Sequence, residues 1–315
     1  MKIVLLESLG VSDALLNACA RPFVEAGHTF AAYPKDTDPQ VQLERAGDAD
    51  VIMLANMPLT GAVISGCPNL KFIDVAFTGV DHVDLDAARA KGVTVSNAAG
   101  YSTQAVAELT VCMMLDLLRK VPQVGERCRN GGTKEGLVGC ELGSRTVGIV
   151  GAGAIGTRTA QLCAAFGSRV LAYKRQVTGE EPGFMTFVPL DELLAQSDIV
   201  SLHCPLNDES RGLINAGTIA KMKEGALLIN AARGPVVDSQ ALADALNSGR
   251  LGGAGIDVFE MEPPVPSDHP LLRARNTILT PHVAFATAES MEARCRIVFD
   301  NLKAWLDGAP INRVL

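Results

Sequence analysis

Thr146-Val147-Gly148-Ile149-Val150 runs into Gly151-Ala152-Gly153-Ala154-Ile155-Gly156, and an amphipathic stretch then continues to Phe166. An apolar run of strand length, glycines spaced G-x-G-x-x-G and a helical period make one strand-turn-helix unit. Each glycine has a mechanical task there. Gly151 permits a tight turn, Gly153 lets a pyrophosphate approach the backbone, and Gly156 lets helix and strand lie close together. Amides at the helix start, those of Ala154 and Ile155 among them, then face the anion. The string alone is weak evidence, but the strand before it and the helix after it supply the context that dinucleotide binding requires.

Outward from this unit, apolar runs alternate with amphipathic stretches along the whole chain, which is the pattern of an α/β protein with parallel sheets. Strands are expected at 2–7, 29–33, 51–55, 72–77 and 93–97, then at 146–151, 169–173, 199–204, 226–231, 255–259 and 277–281. Between the two series, 102–119 carries Val106, Leu109, Met113 and Leu117 at helical spacing, and Pro122 follows. A long connecting helix is expected there, with 125–143 as loop. The stretch 288–306 is again helical by period and follows the last strand. Its return to the first series predicts two domains: 1–98 with 286–315, and 99–285 for the dinucleotide.

Composition bounds the function. The 315 residues are 48% hydrophobic and 20% charged, with a formal net charge of −7. Lys and Arg are scattered, so no basic stripe for nucleic acid exists. The apolar start is cut by Glu7, too early for a signal peptide, and no run is long enough to span a bilayer. The eight cysteines form no C-x-x-C pair, which predicts reduced thiols in a cytoplasmic protein. His203 and Cys204 adjoin, yet strand neighbours face opposite ways, so no metal site is expected.

Two further regions carry chemistry. Where 169–173 ends, a dinucleotide unit usually places an acid for the ribose hydroxyls, and this chain has Lys174-Arg175. Two cations suit the extra phosphate of NADP, and they equally suit a solvated surface pair. Downstream, Arg233 follows one strand, Asp257 to Pro264 leave the next, and His282 follows the last, so three successive strand ends offer a guanidinium, a carboxylate at Glu262 and an imidazole to one crevice. A guanidinium binds a carboxylate or polarised carbonyl in paired hydrogen bonds. A histidine can give a proton to a carbonyl oxygen as hydride reaches carbon, with a carboxylate to orient its ring.

With those residues in view, the chain resembles the D-isomer-specific 2-hydroxyacid dehydrogenases. The resemblance rests on 151–156, 230–238, 257–264 and 281–284, and in the first half on Phe77-Thr78-Gly79-Val80-Asp81-His82-Val83-Asp84 and on 100–108. It implies two Rossmann/flavodoxin-like domains with the active-site cleft between them, usually as a homodimer, acting on a small 2-oxo or 2-hydroxy acid with NAD(P). It also implies that Arg233 binds substrate, that Glu262 and His282 form the proton relay, and that backbone amides of Thr78, Gly79 and Val80 hold the substrate carboxylate. Cofactor contacts are implied for Thr103, His203, Cys204, Pro205, Ala231 and Asp257, and for Arg233 and His282.

Departures from the pattern refine this. Lys174-Arg175 replaces the expected acid and leans toward NADP. Formate dehydrogenases of the superfamily carry Gln where this chain has Glu262, so 2-oxo acid chemistry is favoured. Phosphoglycerate dehydrogenases usually bring cations to the loop matching Leu54-Ala55-Asn56-Met57-Pro58-Leu59-Thr60, which has none here, and no regulatory domain is expected after Leu315. Hydroxypyruvate or glyoxylate is the favoured substrate. The alternatives are phosphoglycerate and, in a different class, a dinucleotide-binding co-repressor of the same fold.

Overall fold

Buried on both faces, the strands of a parallel sheet read as continuous apolar runs, and both sheets of this protein do so. The computed structural model describes residues 1–176 and 182–315. It divides into two units, residues 1–102 with 286–315, and 103–285.

In the first unit, β1 (Lys2–Leu5), β2 (Thr29–Ala32), β3 (Val51–Leu54), β4 (Phe72–Val75) and β5 (Thr94–Asn97) form a parallel sheet in the order β2-β1-β3-β4-β5. That is the flavodoxin-like order. The helix Ala288–Leu306 starts on a capping box at Thr287 and Ser290 and buries Cys295, Val298, Phe299 and Leu302. It belongs to this unit because its aromatic residues meet the sheet and its first helix. Trp305 stacks on Phe72 at 4.9 Å, and Phe299 meets Phe23 at 5.8 Å. The last residues then run beside β5, where Val314 N–H donates to Val95.

In the second unit, β6 (Thr146–Val150), β7 (Arg169–Tyr173), β8 (Thr186–Phe187), β9 (Ile199–Leu202), β10 (Leu227–Asn230), β11 (Gly253–Ile256) and β12 (Thr277–Leu279) form a parallel sheet ordered β12-β11-β10-β9-β6-β7-β8. This is the Rossmann order with one strand added at the far edge, and its direction reverses between β6 and β9. Alternate residues go to opposite cores: Val147, Ile149, Ile199 and Ile229 pack with Met113, Met114 and Leu117, while Val200, Leu202 and Leu228 pack with Leu193, Leu194 and Leu242.

The strand positions follow the apolar runs, trimmed by one or two residues where carboxyl ends turn into loops. Three details differ from expectation. The stretch 125–143 is not all loop, since a helix spans Val121–Arg129 and a 3₁₀ turn spans Leu142–Ser144. Pro122 starts that helix rather than forbidding it, because a first-turn proline sacrifices no hydrogen bond; the break from the previous helix is Lys120 at φ 53°. The short strand β8 has too few residues for a periodicity. Lastly, β11 begins at Gly253, two residues earlier than its apolar run, because small residues are needed under the helix Thr103–Arg119. A Cβ on Gly255 would lie 2.9 Å from Met113 Cβ and 3.0 Å from Ile229 Cδ1.

All eight cysteines are free thiols, and no helix among the described residues is long and apolar enough to cross a membrane. The packing over β11 yields a direct expectation. Gly255→Val should overfill that contact and destabilise the protein by about 1–3 kcal/mol, seen as a lower urea midpoint. An unchanged midpoint would refute the tight helix-strand contact.

Candidate active site

The crevice at the β6/β9 reversal is built by close backbone approach. Gly151 ends β6 at φ +100°, and a Cβ there would lie 2.6 Å from Cys204 N and 2.7 Å from the His203 carbonyl carbon. Gly156 leaves no room either: its Cβ would meet Gly151 O at 2.1 Å. Gly153, by contrast, faces open space. It caps the helix Ala154–Ala165 without a side-chain hydrogen bond, and that helix has no acid in its first turn. Its bare N-terminal amides carry the positive end of the helix dipole.

Beside them lies a cavity of about 350 Å³, walled by Gly151, Gly153, Tyr173, His203, Cys204 and Pro205, with Lys174, Arg175 and Glu209 also on its lining. The described residues fit a dinucleotide here on two independent observations: the open space over Gly153, and His203 Nδ1, which is buried without a hydrogen-bond partner. His203 Nε2 lies 2.9 Å from Ser201 Oγ. Burial pulls the His203 pKa down to about 4, so the ring is neutral near neutral pH and adds no charge to the site. Of the two cations expected at the strand end, Arg175 pairs with Glu209 at 2.7 Å with both side chains mostly in water, and the Lys174 ammonium lies 5.4 Å from the Phe187 ring centre. Glu209 was not legible in the sequence. Its loop is stitched together by Asn207 Oδ1, which accepts from the Glu209 and Ser210 amides, and by Ser210 Oγ, which donates to Pro205 O.

The loops after β10, β11 and β12 are neighbours because those strands are. Asn230 shapes the first: Nδ2 donates to Arg233 O at 2.9 Å and Oδ1 accepts from Ala232 N at 3.0 Å. This turn carries Ala231 and Arg233. Gly234 then presses the loop onto the next one, since its Cβ would sit 1.8 Å from Phe259 O. His282 has φ 55°, a left-handed conformation that side chains other than glycine's seldom adopt. Its Nδ1 lies 2.9 and 3.0 Å from the Glu262 carboxylate oxygens, and its ring meets Phe285 edge-on at 5.4 Å. A carboxylate can only accept, so Nδ1 carries the proton. The neighbouring acid Glu260 serves another imidazole, His269, at 3.0 Å.

Asp257, an expected cofactor contact, has its side chain fully buried and turned to the following loop. Oδ1 accepts from Thr280 Oγ1 at 2.5 Å and Val283 N at 2.9 Å, and Oδ2 accepts from Ala284 N at 2.9 Å. The Asp257 carbonyl accepts His282 N–H at 2.7 Å. Four other expected residues lie elsewhere: Thr103 opens the helix Thr103–Arg119, and Thr78, Gly79 and Val80 follow β4 in the first unit. In that unit the loop 54–60, free of cations in sequence, receives one from elsewhere. Lys35 reaches Asn56 Oδ1 at 3.2 Å, but Glu7 meets the same ammonium at 3.1 Å and also accepts from the Ala55 and Met57 amides.

The neutral state of His203 predicts an acid-side effect. An unfolded histidine accepts its proton near 6.5, whereas the native ring resists down to about 4. Between those values the unfolded chain binds more protons, so this residue makes stability fall with falling pH, by up to ~1.4 kcal/mol per unit. Urea unfolding at pH 7 and pH 5 should show a shallower acid loss in His203→Gln than in the native protein. Equal losses would contradict the buried, neutral ring.

Known proteins agree with this geometry. Residues 111–284 match the family described as D-isomer specific 2-hydroxyacid dehydrogenase, NAD binding domain. The chain is 38% identical over 286 residues to a hydroxypyruvate reductase of Blautia hydrogenotrophica, covering 88% of each. It is 38% identical over 290 residues to a glyoxylate reductase of Thermofilum pendens, covering 89% of this chain and 85% of that one. Among solved structures, an acyclic imino acid reductase in complex with NADPH and D-Arg superimposes with a TM-score of 0.91 at 27% identity over the full length of both. The chain belongs to the D-isomer specific 2-hydroxyacid dehydrogenases, oxidoreductases that pass a hydride between a nicotinamide cofactor and a 2-oxo or 2-hydroxy acid.

Proposed function

We propose that this enzyme reduces hydroxypyruvate or glyoxylate to the corresponding 2-hydroxy acid, with His282 as general acid and Arg233 as the substrate-binding cation. The carrying observation is the His282–Glu262 contact, with both carboxylate oxygens within 3.0 Å of Nδ1. A nicotinamide dinucleotide held at the cavity beside Gly151, Gly153 and His203 would supply a hydride to C2. As C2 accepts it, the carbonyl π pair moves onto oxygen, and protonated His282 gives that oxygen its Nε2 proton. Glu262 holds the ring in the orientation this requires and balances its charge. Arg233 binds the carboxylate and the carbonyl oxygen through its planar fork. The amides of Thr78, Gly79 and Val80 also bind the carboxylate, as the family resemblance implies. In the reverse direction the same ring accepts the hydroxyl proton.

The substrate preference is supported by the named activities of the relatives. The co-repressor reading has less support, since these relatives are reductases. The reading includes a homodimer, as the family resemblance implies, in the cytoplasm, as the unpaired cysteines suggest.

Replacing His282 with Ala should lower turnover by roughly 10²–10⁴ while dinucleotide binding, measured by titration, stays nearly intact. Arg233→Lys should raise KM for the 2-oxo acid, because a point charge cannot reproduce the fork. Near-native turnover of His282→Ala across pH would refute the assignment of the acid.

On the cofactor, we propose that NADPH is accepted at least as well as NADH. The Arg175–Glu209 pair is mostly in water, so its attraction is worth little, and a 2′-phosphate can recruit the guanidinium. The specificity constants for both cofactors should therefore show no NADH preference, and a Lys174→Ala, Arg175→Ala double variant should lose NADPH selectively. A strong NADH preference that survives the double substitution would sink this reading.

A further inference from the structure

Behind the loop that follows β4 lies a buried polar chain with no evident structural need for so many amides. Asn97, at the end of β5, donates from Nδ2 to Thr78 O at 2.7 Å, and its Oδ1 accepts from Ala99 N at 3.3 Å, so the side-chain amide cannot flip without losing both bonds. The preceding carbonyl, that of Phe77, accepts from Ala98 N at 3.0 Å. The Asn97 carbonyl in turn accepts from Asn301 Nδ2 at 2.9 Å. Asn301 comes from the closing helix, is fully buried, and also donates to Asp74 Oδ1 at 3.0 Å while accepting from Asn312 Nδ2 at 2.8 Å.

The consequence follows from peptide geometry. In a planar trans peptide the C=O and the next N–H point in opposite directions. Drawing the Thr78 carbonyl inward toward Asn97 therefore turns the Gly79 N–H outward. Among the described residues, the amides of Thr78, Gly79 and Val80 donate to no protein acceptor, although Gly79 and Val80 are half-buried. Amides left unpaired in such surroundings are costly unless a ligand or water completes them.

We infer that Asn97, held from behind by Asn301, is a positioning residue that aims the Gly79 amide at the substrate carboxylate. The inference rests on the proposed role of Thr78, Gly79 and Val80. Burial pushes the Asp74 carboxyl well above the usual carboxylate range, which disfavours a negative charge at the far end of this chain. An amide donor at position 97 is thus required on chemical grounds: aspartate has the same shape but faces Thr78 O with an acceptor.

The test uses the full-length enzyme. Asn97→Asp should raise KM for the 2-oxo acid by roughly tenfold or more, leave kcat within about threefold and leave the NADH Kd unchanged by titration. It should also narrow the preference for a 2-oxo acid over its 2-oxo amide, a ratio that general loosening of the fold would not move. Asn97→Ala, which removes the donor without adding charge, should shift the same two readouts if the aspartate variant does not fold. A folded Asn97 variant with native KM and native acid-over-amide preference overturns the inference. Val80→Pro, which deletes one amide of the loop, separates it from the reading beneath. If Val80→Pro raises KM and the Asn97 variants do not, positioning by Asn97 is wrong and the carboxylate cradle stands. If neither changes KM, both fall.

Discussion

One carboxylate organises the catalytic end of the second sheet. Asp257 lies fully buried at the end of β11, and its two oxygens accept from Thr280, Val283 and Ala284, while its carbonyl accepts the His282 amide. These bonds bracket a histidine held in a left-handed conformation, which costs on the order of 1–3 kcal/mol and persists only where surroundings over-determine it. A buried carboxylate satisfied by backbone donors is a rigid support, since withdrawing any donor leaves charge uncompensated. His282 therefore faces Glu262 in one orientation.

Close backbone approach does for the nucleotide crevice what Asp257 does for the histidine. Glycines at 151 and 156 bring β6, the following helix and the 203–204 backbone to distances that no side chain permits, and Gly234 does the same between the loops after β10 and β11. The open face of Gly153 is the exception, and it lies where an anion would meet the helix dipole. Contacts of this kind set position through exclusion rather than attraction. They leave the polar groups of the crevice, His203 Nδ1 among them, available to a ligand.

The two sheets use the same rule for different ends. Both are parallel, both are covered on two faces, and in both the chemistry-bearing residues follow carboxyl ends of strands. In the second unit those ends carry Arg233, Glu262 and His282. In the first they carry the Thr78–Val80 amides, the Glu7 carboxylate among the 54–60 amides, and the Asn97 side chain behind Thr78.

The α/β class, most strand positions to within a residue or two, the glycine turn and the closing helix were legible in the sequence, because apolar periodicity and glycine spacing are local signals. Which of two acids, Glu260 or Glu262, meets His282 had no local signal beyond the family resemblance, and folding gave Glu260 to His269. Tertiary structure alone decided that the Asp257 carboxylate braces the histidine loop, that Glu209 claims Arg175, and that Lys35 arrives beside a loop with no cation of its own. It also placed glycines in β11, where strand propensity alone argues against them, because a helix crosses that strand. The physical reason is the same throughout: hydrogen bonds and charge pairs between residues far apart in sequence depend on where strand ends meet, and no periodicity within one segment records that meeting.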